Sequence, residues 1–209
     1  MTVPDEAPQL RLARVLTARI THDLGSPLGT LAGMLDMLGG GAEDAELLAV
    51  ALQAATDLRG RLALQRAAWG GDGEAQDHAG LLALLAGSAA AQRVRFDLAG
   101  PLFAQAVAPA LVPLVLNGAL LAAEALPRGG AVTCSATARE MVFLAEGRNA
   151  GWPAETLALL SGRNPDPLAG GPRHVIGPVL LGLAAAQGFD ASLMPGTGPG
   201  LPALLLGRR

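Results

Sequence analysis

His22 and Asp23 stand side by side in the stretch Ile20-Thr21-His22-Asp23-Leu24-Gly25-Ser26-Pro27-Leu28-Gly29. A neutral imidazole is a competent nucleophile near neutral pH. An acidic neighbour can hold the proton of one ring nitrogen and leave the other to react. Asp23 is the candidate for that task, although adjacent helical residues point about 100° apart, so a direct contact and a purely electrostatic or capping role both fit. Metal binding is a poor alternative, because no second His or Cys lies three or four residues from His22. His78, in a glycine-rich stretch, and His174, in Gly170-Gly171-Pro172-Arg173-His174, read as solvated loop residues.

The element that must carry His22 is a long helix. Leu12, Leu16, Ile20, Leu24, Leu28, Leu31, Leu35 and Leu38 recur at spacings of three and four, the period of one buried face. On a helical wheel His22 falls roughly 180° from that stripe. Ala18, Gly25, Ser26, Gly29 and Gly33 share its side, with Arg11 and Arg19 flanking. Each glycine costs a helix about 0.8–1.0 kcal/mol relative to Ala, so a face this bare implies that another surface approaches it closely. Pro27 removes one backbone N–H and its ring crowds the carbonyl of Asp23, which predicts a bend beside His22.

The helix should stop at Gly39-Gly40-Gly41. Glu43, Asp44 and Glu46 favour the start of a second helix, and Leu48, Leu52, Ala55, Leu58, Leu62 and Trp69 carry the same period to about Trp69. The short connection predicts an antiparallel hairpin, and pairing two hairpins in a four-helix bundle would bury both stripes, which predicts a homodimer. Gly70 to Gly80 reads as a linker. This gives two units, a helical hairpin over 1–72 and a second domain over 80–209. In the second, 81–92, 107–126, 153–162 and 175–188 read as helical. Residues 94–98 and the runs Ala131–Thr137 and Met141–Gly147 read as strands, and 191–196 with 202–207 as a closing antiparallel pair. The fold class is α+β, with helices on one face of a mainly antiparallel sheet.

Composition narrows the chemistry. The 209 residues include no lysine, which excludes a G-x-x-x-x-G-K-[ST] phosphate loop. A net charge of −3 without a basic stripe argues against nucleic acid. The most apolar stretch, 108–126, is interrupted by Pro113, Asn117 and Glu124, so no membrane span is expected and the chain reads as cytoplasmic. Cys134, the single cysteine, reads as a small buried strand residue.

His22-Asp23-Leu24-Gly25-Ser26-Pro27 resembles the phospho-acceptor motif of histidine kinase dimerisation helices. More fully, 16–29, 61–70 and 116–130 resemble the first helix, the end of the second and a later helix of the ChpT-type histidine phosphotransferases of alphaproteobacterial phosphorelays. The resemblance implies a dimeric four-helix bundle and a C-terminal α/β sandwich shaped like a histidine kinase ATP-binding domain. It implies a phosphoryl group moving between His22 and receiver aspartates, with a CckA-like hybrid kinase upstream and CtrA-like and CpdR-like regulators downstream. Gly25, Ser26, Pro27 and Gly29 would then meet the receiver, and Arg19 and Arg66 would contact phosphate or receiver acids unless they are ordinary surface arginines. No cofactor is implied in this chain, Mg2+ being expected on the receiver alone. Kinase ATP sites carry two asparagines four residues apart; here Asn117 has Pro113 in the earlier position, and Glu146-Gly147 is a weak echo of an Asp-x-Gly-x-Gly turn. ATP binding is therefore expected to be lost. An active kinase with a divergent nucleotide site, and a dimeric adaptor that transfers nothing, are the competing expectations.

Overall fold

The computed structural model describes residues 7–39, 44–71, 73–163, 166–195 and 200–209. Helix α1 runs Pro8–Gly39 without a break at Pro27, and α2 runs Ala45–Trp69, the two forming a hairpin. Asp44 caps α2 by accepting the amide N–H of Glu46 at 2.8 Å. The expected glycine turn at Gly40-Gly41, and Glu43, lie outside the described residues.

Most of the hairpin's leucine stripe is only partly covered. Leu28 and Leu35 on α1 are each 53% exposed, and Leu48, Leu52 and Leu62 on α2 are likewise exposed. The hairpin buries small residues instead, Ala51, Ala54 and Ala68, together with Leu64 near the end of α2. A run of exposed leucines along two adjacent helices is apolar surface that nothing among the described residues covers.

From α2 onward the elements are α3 (His78–Ala86), β1 (Val94–Ala99), α4 (Val112–Glu124), β2 (Gly130–Ala136), β3 (Glu140–Glu146), α5 (Ala154–Leu160), α6 (Ile176–Ala186), β4 (Phe189–Met194) and β5 (Ala203–Arg208), with short 3-10 turns between. The sheet order is β1-β2-β3-β5-β4. β1 and β2 are parallel, joined by the α4 crossover, and the other pairings are antiparallel. Helix α4 is buried along nearly its whole length. It approaches the sheet so closely that a Cβ at Gly118 would stand 2.2 Å from the Phe143 ring. Val132, Cys134, Ala136, Met141, Phe143 and Ala145 alternate inward from β2 and β3. Burial pushes the Cys134 thiol up to about 12, which leaves it unreactive.

This α+β arrangement agrees with the sequence expectation, with local corrections. Helix α3 begins at His78, inside the stretch read as linker, because Asp77 caps it by accepting the Gly80 N–H at 2.7 Å. The helix expected over 81–92 breaks at Gly87. There α2 and the segment after α3 meet backbone to backbone, and a Cβ on Gly87 would fall 2.3 Å from the Gly60 carbonyl oxygen. The helix expected from 107 starts at Val112, since Val107 is paired across a β-bridge with Gln76. Cys134 is buried as expected.

The hairpin and the remainder of the chain are tied at several points. Asn117, 0% exposed on α4, accepts the Trp69 indole N–H at 2.8 Å and donates to the carbonyls of Pro113 and Ala68 at 2.8 and 3.3 Å. Arg11 makes two bonds to the Asp166 carboxylate, at 2.9 and 2.7 Å, and this guanidinium holds the Asp166 carboxyl below the usual carboxylate range.

Candidate functional site

His22 projects from α1 with its side chain 85% exposed, on the side of the helix away from the leucines. Its Nδ1 lies 3.3 Å from Oδ1 of Asp23. The other carboxylate oxygen of Asp23 accepts from Nε of Arg19, one turn earlier, at 2.7 Å. Of the two roles left open for Asp23, the geometry is that of a direct contact. A carboxylate on Nδ1 favours the tautomer with its proton there and leaves Nε2 unprotonated.

Pro27 shapes the main chain below this pair. The carbonyl of Asp23 would ordinarily accept the N–H of residue 27, which proline lacks. Nη1 of Arg61, on α2, donates to that oxygen instead.

Gly25, Ser26 and Gly29 lie exposed beyond His22, and a Cβ at Gly25, Gly29 or Gly33 would meet nothing within 4 Å. Nothing within the described chain requires these glycines. Pro27, expected to meet the receiver, is the α1 residue that is buried. It can shape a docked surface only from beneath. Arg19 is also committed internally, since besides Asp23 it donates to the carbonyl of Arg173 at 3.0 Å. Arg66 is exposed on α2 and does not border the cleft on which His22 stands. Arg61, a turn and a half earlier, does.

That cleft, about 840 Å³, lies between the hairpin and the following elements. His22, Asp23, Arg19 and Arg61 line it from the hairpin, together with Gln65 and Trp69. Glu124 at the end of α4 and Arg173 and His174 before α6 line it from the other side. Three buried polar atoms without a hydrogen-bond partner, Gln65 Oε1, Glu124 Oε2 and His174 Nδ1, belong to residues of this one cleft. Burial raises the Glu124 carboxyl from 4.5 to about 7, against the opposing pull of the Arg19 charge. His174, expected to be solvated, is half-buried with Nδ1 enclosed, while His78 is exposed.

Arg61 and Gln65 were not singled out by the sequence, and Glu124 and His174 were named there without a role in the site. The first had a signal: a proline four residues after Asp23 implies an orphaned carbonyl and hence a donor from elsewhere. The others meet only through tertiary packing. No group of three or more His, Cys, Asp or Glu suited to a metal occurs among the described residues. No described helix is long and apolar enough to cross a membrane.

Residues 78–194 match the family model described as the histidine phosphotransferase C-terminal domain. The chain is 30% identical over 178 residues to the protein phosphotransferase ChpT of Brucella abortus (strain 2308), covering 79% of this chain and 82% of that protein. A solved bacterial phosphotransferase is similar at a TM-score of 0.75 and 25% identity, over 98% of each chain.

Proposed function

The chain belongs to the ChpT-type histidine phosphotransferase family, and from that premise we propose that His22 is the phospho-acceptor of a two-component phosphorelay. It takes the phosphoryl group from a receiver-domain aspartate and passes it to response regulators. The observation that carries this reading is the exposed imidazole whose Nδ1 is engaged by Asp23 at 3.3 Å, leaving Nε2 open to a visitor.

In the forward step the Nε2 lone pair attacks phosphorus and an N–P bond forms. The P–O bond to the donor aspartate breaks, and its electron pair stays on the departing carboxylate. The Nδ1 proton remains in place, and the positive charge gained by the ring is met by Asp23. Transfer from His22 to a regulator is the reverse of this step. Such chemistry is chiefly positioning and charge neutralisation. Mg2+ and a lysine would come with the receiver, so this chain needs no cofactor of its own. Gly25, Ser26 and Gly29 give the receiver's loops a path to within about 3–3.5 Å of the imidazole.

The partners of this reading are a CckA-like hybrid kinase and CtrA-like and CpdR-like regulators, in the cytoplasm. The exposed leucines of α1 and α2 would be covered by a second copy in a four-helix bundle. The chain then works as two units, the transfer hairpin over 1–72 and the domain over 80–209. Lack of autokinase activity is supported by Asn117, whose side-chain oxygen and nitrogen are both engaged by protein partners, and by Pro113 four residues before it.

The test is transfer of labelled phosphoryl from a phosphorylated receiver. Label is expected on wild type and absent from His22→Ala, with the dimer unchanged. Equal labelling of the mutant would move the acceptor elsewhere, and no labelling of wild type by any receiver would leave a binding adaptor. Labelling by ATP alone would make the protein a kinase.

A further inference from the structure

Pro27 and Arg61 are linked by a shared atom. Helix α1 continues through Pro27 although proline cannot supply the N–H that the Asp23 carbonyl would accept. An enclosed carbonyl left without a donor is costly. The missing donor comes from the other helix of the hairpin, as Nη1 of Arg61. Residue 23 is therefore held twice, its main-chain oxygen by Arg61 and its Oδ2 by Arg19 at 2.7 Å. With those two fixed, Oδ1 is the oxygen left for Nδ1 of His22 at 3.3 Å.

We propose that Arg61 is a positioning residue for phosphoryl transfer at His22, replacing across the hairpin the helical hydrogen bond that Pro27 deletes. The proposal rests on His22 being the acceptor. Its action is through the backbone of the His22-Asp23 turn. If that turn rotates, Oδ1 loses its line to Nδ1 and the ring is no longer held with Nε2 unprotonated. A residue with an N–H at position 27 would close the Asp23 carbonyl within α1 and leave the Arg61 guanidinium without its anchor, so the two side chains act as one device. Arg61 also belongs to α2, so the device makes the nucleophile's orientation depend on the set of the hairpin.

Two measurements on the full-length protein test this. The first is the tautomer of His22, read from imidazole 15N shifts. The second is the initial rate of label transfer from a phosphorylated receiver. Arg61→Ala should lower the rate about tenfold and move His22 from the Nδ1–H form towards a tautomer mixture. Adding Pro27→Ala restores an N–H to the Asp23 carbonyl. The double variant should therefore recover both readouts to within about threefold of Pro27→Ala alone. Arg61→Lys, which keeps a cationic donor, guards against misreading a folding defect and should keep more of the rate than Arg61→Ala.

Wild-type rate and tautomer in Arg61→Ala would overturn the proposal. So would a slowed Arg61→Ala with an unchanged tautomer and no recovery on adding Pro27→Ala, which would make Arg61 a charge for the phosphate. If wild type accepts label from no receiver, the phosphotransferase reading fails by itself. The tautomer series, which needs no receiver, still decides whether Arg61 governs the turn.

Discussion

Oδ1 of Asp23 lies 3.3 Å from Nδ1 of His22, its neighbour in the chain. Consecutive helical residues do not face one another, so the carboxylate must be turned back along the helix to reach the ring. Arg19, at the i−4 position, holds it there through Oδ2. Asp23→Asn keeps the shape and loses the charge, and its amide can present N–H to Nδ1 and so favour the unreactive tautomer. Transfer should fall about 100-fold, with thermal stability little changed; a rate within twofold of wild type would show that the carboxylate is dispensable.

The open space around Gly29 gives a test of docking that avoids folding. Beyond the adjoining helix backbone, nothing lies within 4 Å of a Cβ placed there, and arginine is the better helix former by roughly 0.8 kcal/mol. Gly29→Arg should melt at or slightly above the wild-type temperature while transfer from a receiver drops sharply. Normal transfer would place the docking surface elsewhere.

Glu124 predicts a pH dependence of stability. Its carboxyl titrates at about 7 in the fold, raised from 4.5 by burial. The folded protein thus binds this proton more tightly than the unfolded chain does. The stabilisation is complete below about pH 4.5 and is lost as pH rises through about 7, a swing of about 3 kcal/mol. Denaturant unfolding between pH 5 and 8 should show this slope in wild type and a much flatter one in Glu124→Gln. Parallel profiles would mean that the carboxyl finds a partner in solution.

Asn117 offers a separation of structure from nucleotide chemistry. Removing its amide takes away the acceptor of the partly buried Trp69 N–H and one donor to the carbonyl of Ala68. Asn117→Ala should therefore cost about 2–4 kcal/mol in unfolding free energy. ATP should protect neither protein in a thermal shift assay, and protection of wild type alone would return the residue to a nucleotide site.

The hairpin, the outward His22 and the alternating strands β2 and β3 were legible because each is written in a local period. Gly87, Val107 and His78 depart from the expectation for two reasons. For the first two the conformation is decided by a partner distant in sequence, Gly60 behind Gly87 and Gln76 across from Val107, whereas His78 is drawn into a helix by the neighbouring Asp77 cap, whose signal was hidden among glycines. Arg66 and Arg61 both lie on α2, and it is rotation about the helix axis that puts Arg61 and not Arg66 on the cleft. Glu124 looked like an interruption in an apolar run; its raised pKa comes from the protein folded around it.

The meeting of Gly60 with Gly87 has an evolutionary side. Spacers made of side chains can drift, since one rotamer or one methylene replaces another with little penalty. Here the spacer is peptide backbone on both sides, and even alanine at position 87 would enter as a wedge. Lineages carrying this chain have almost no way to change the spacing of α2 from the segment after α3 by small steps at this point.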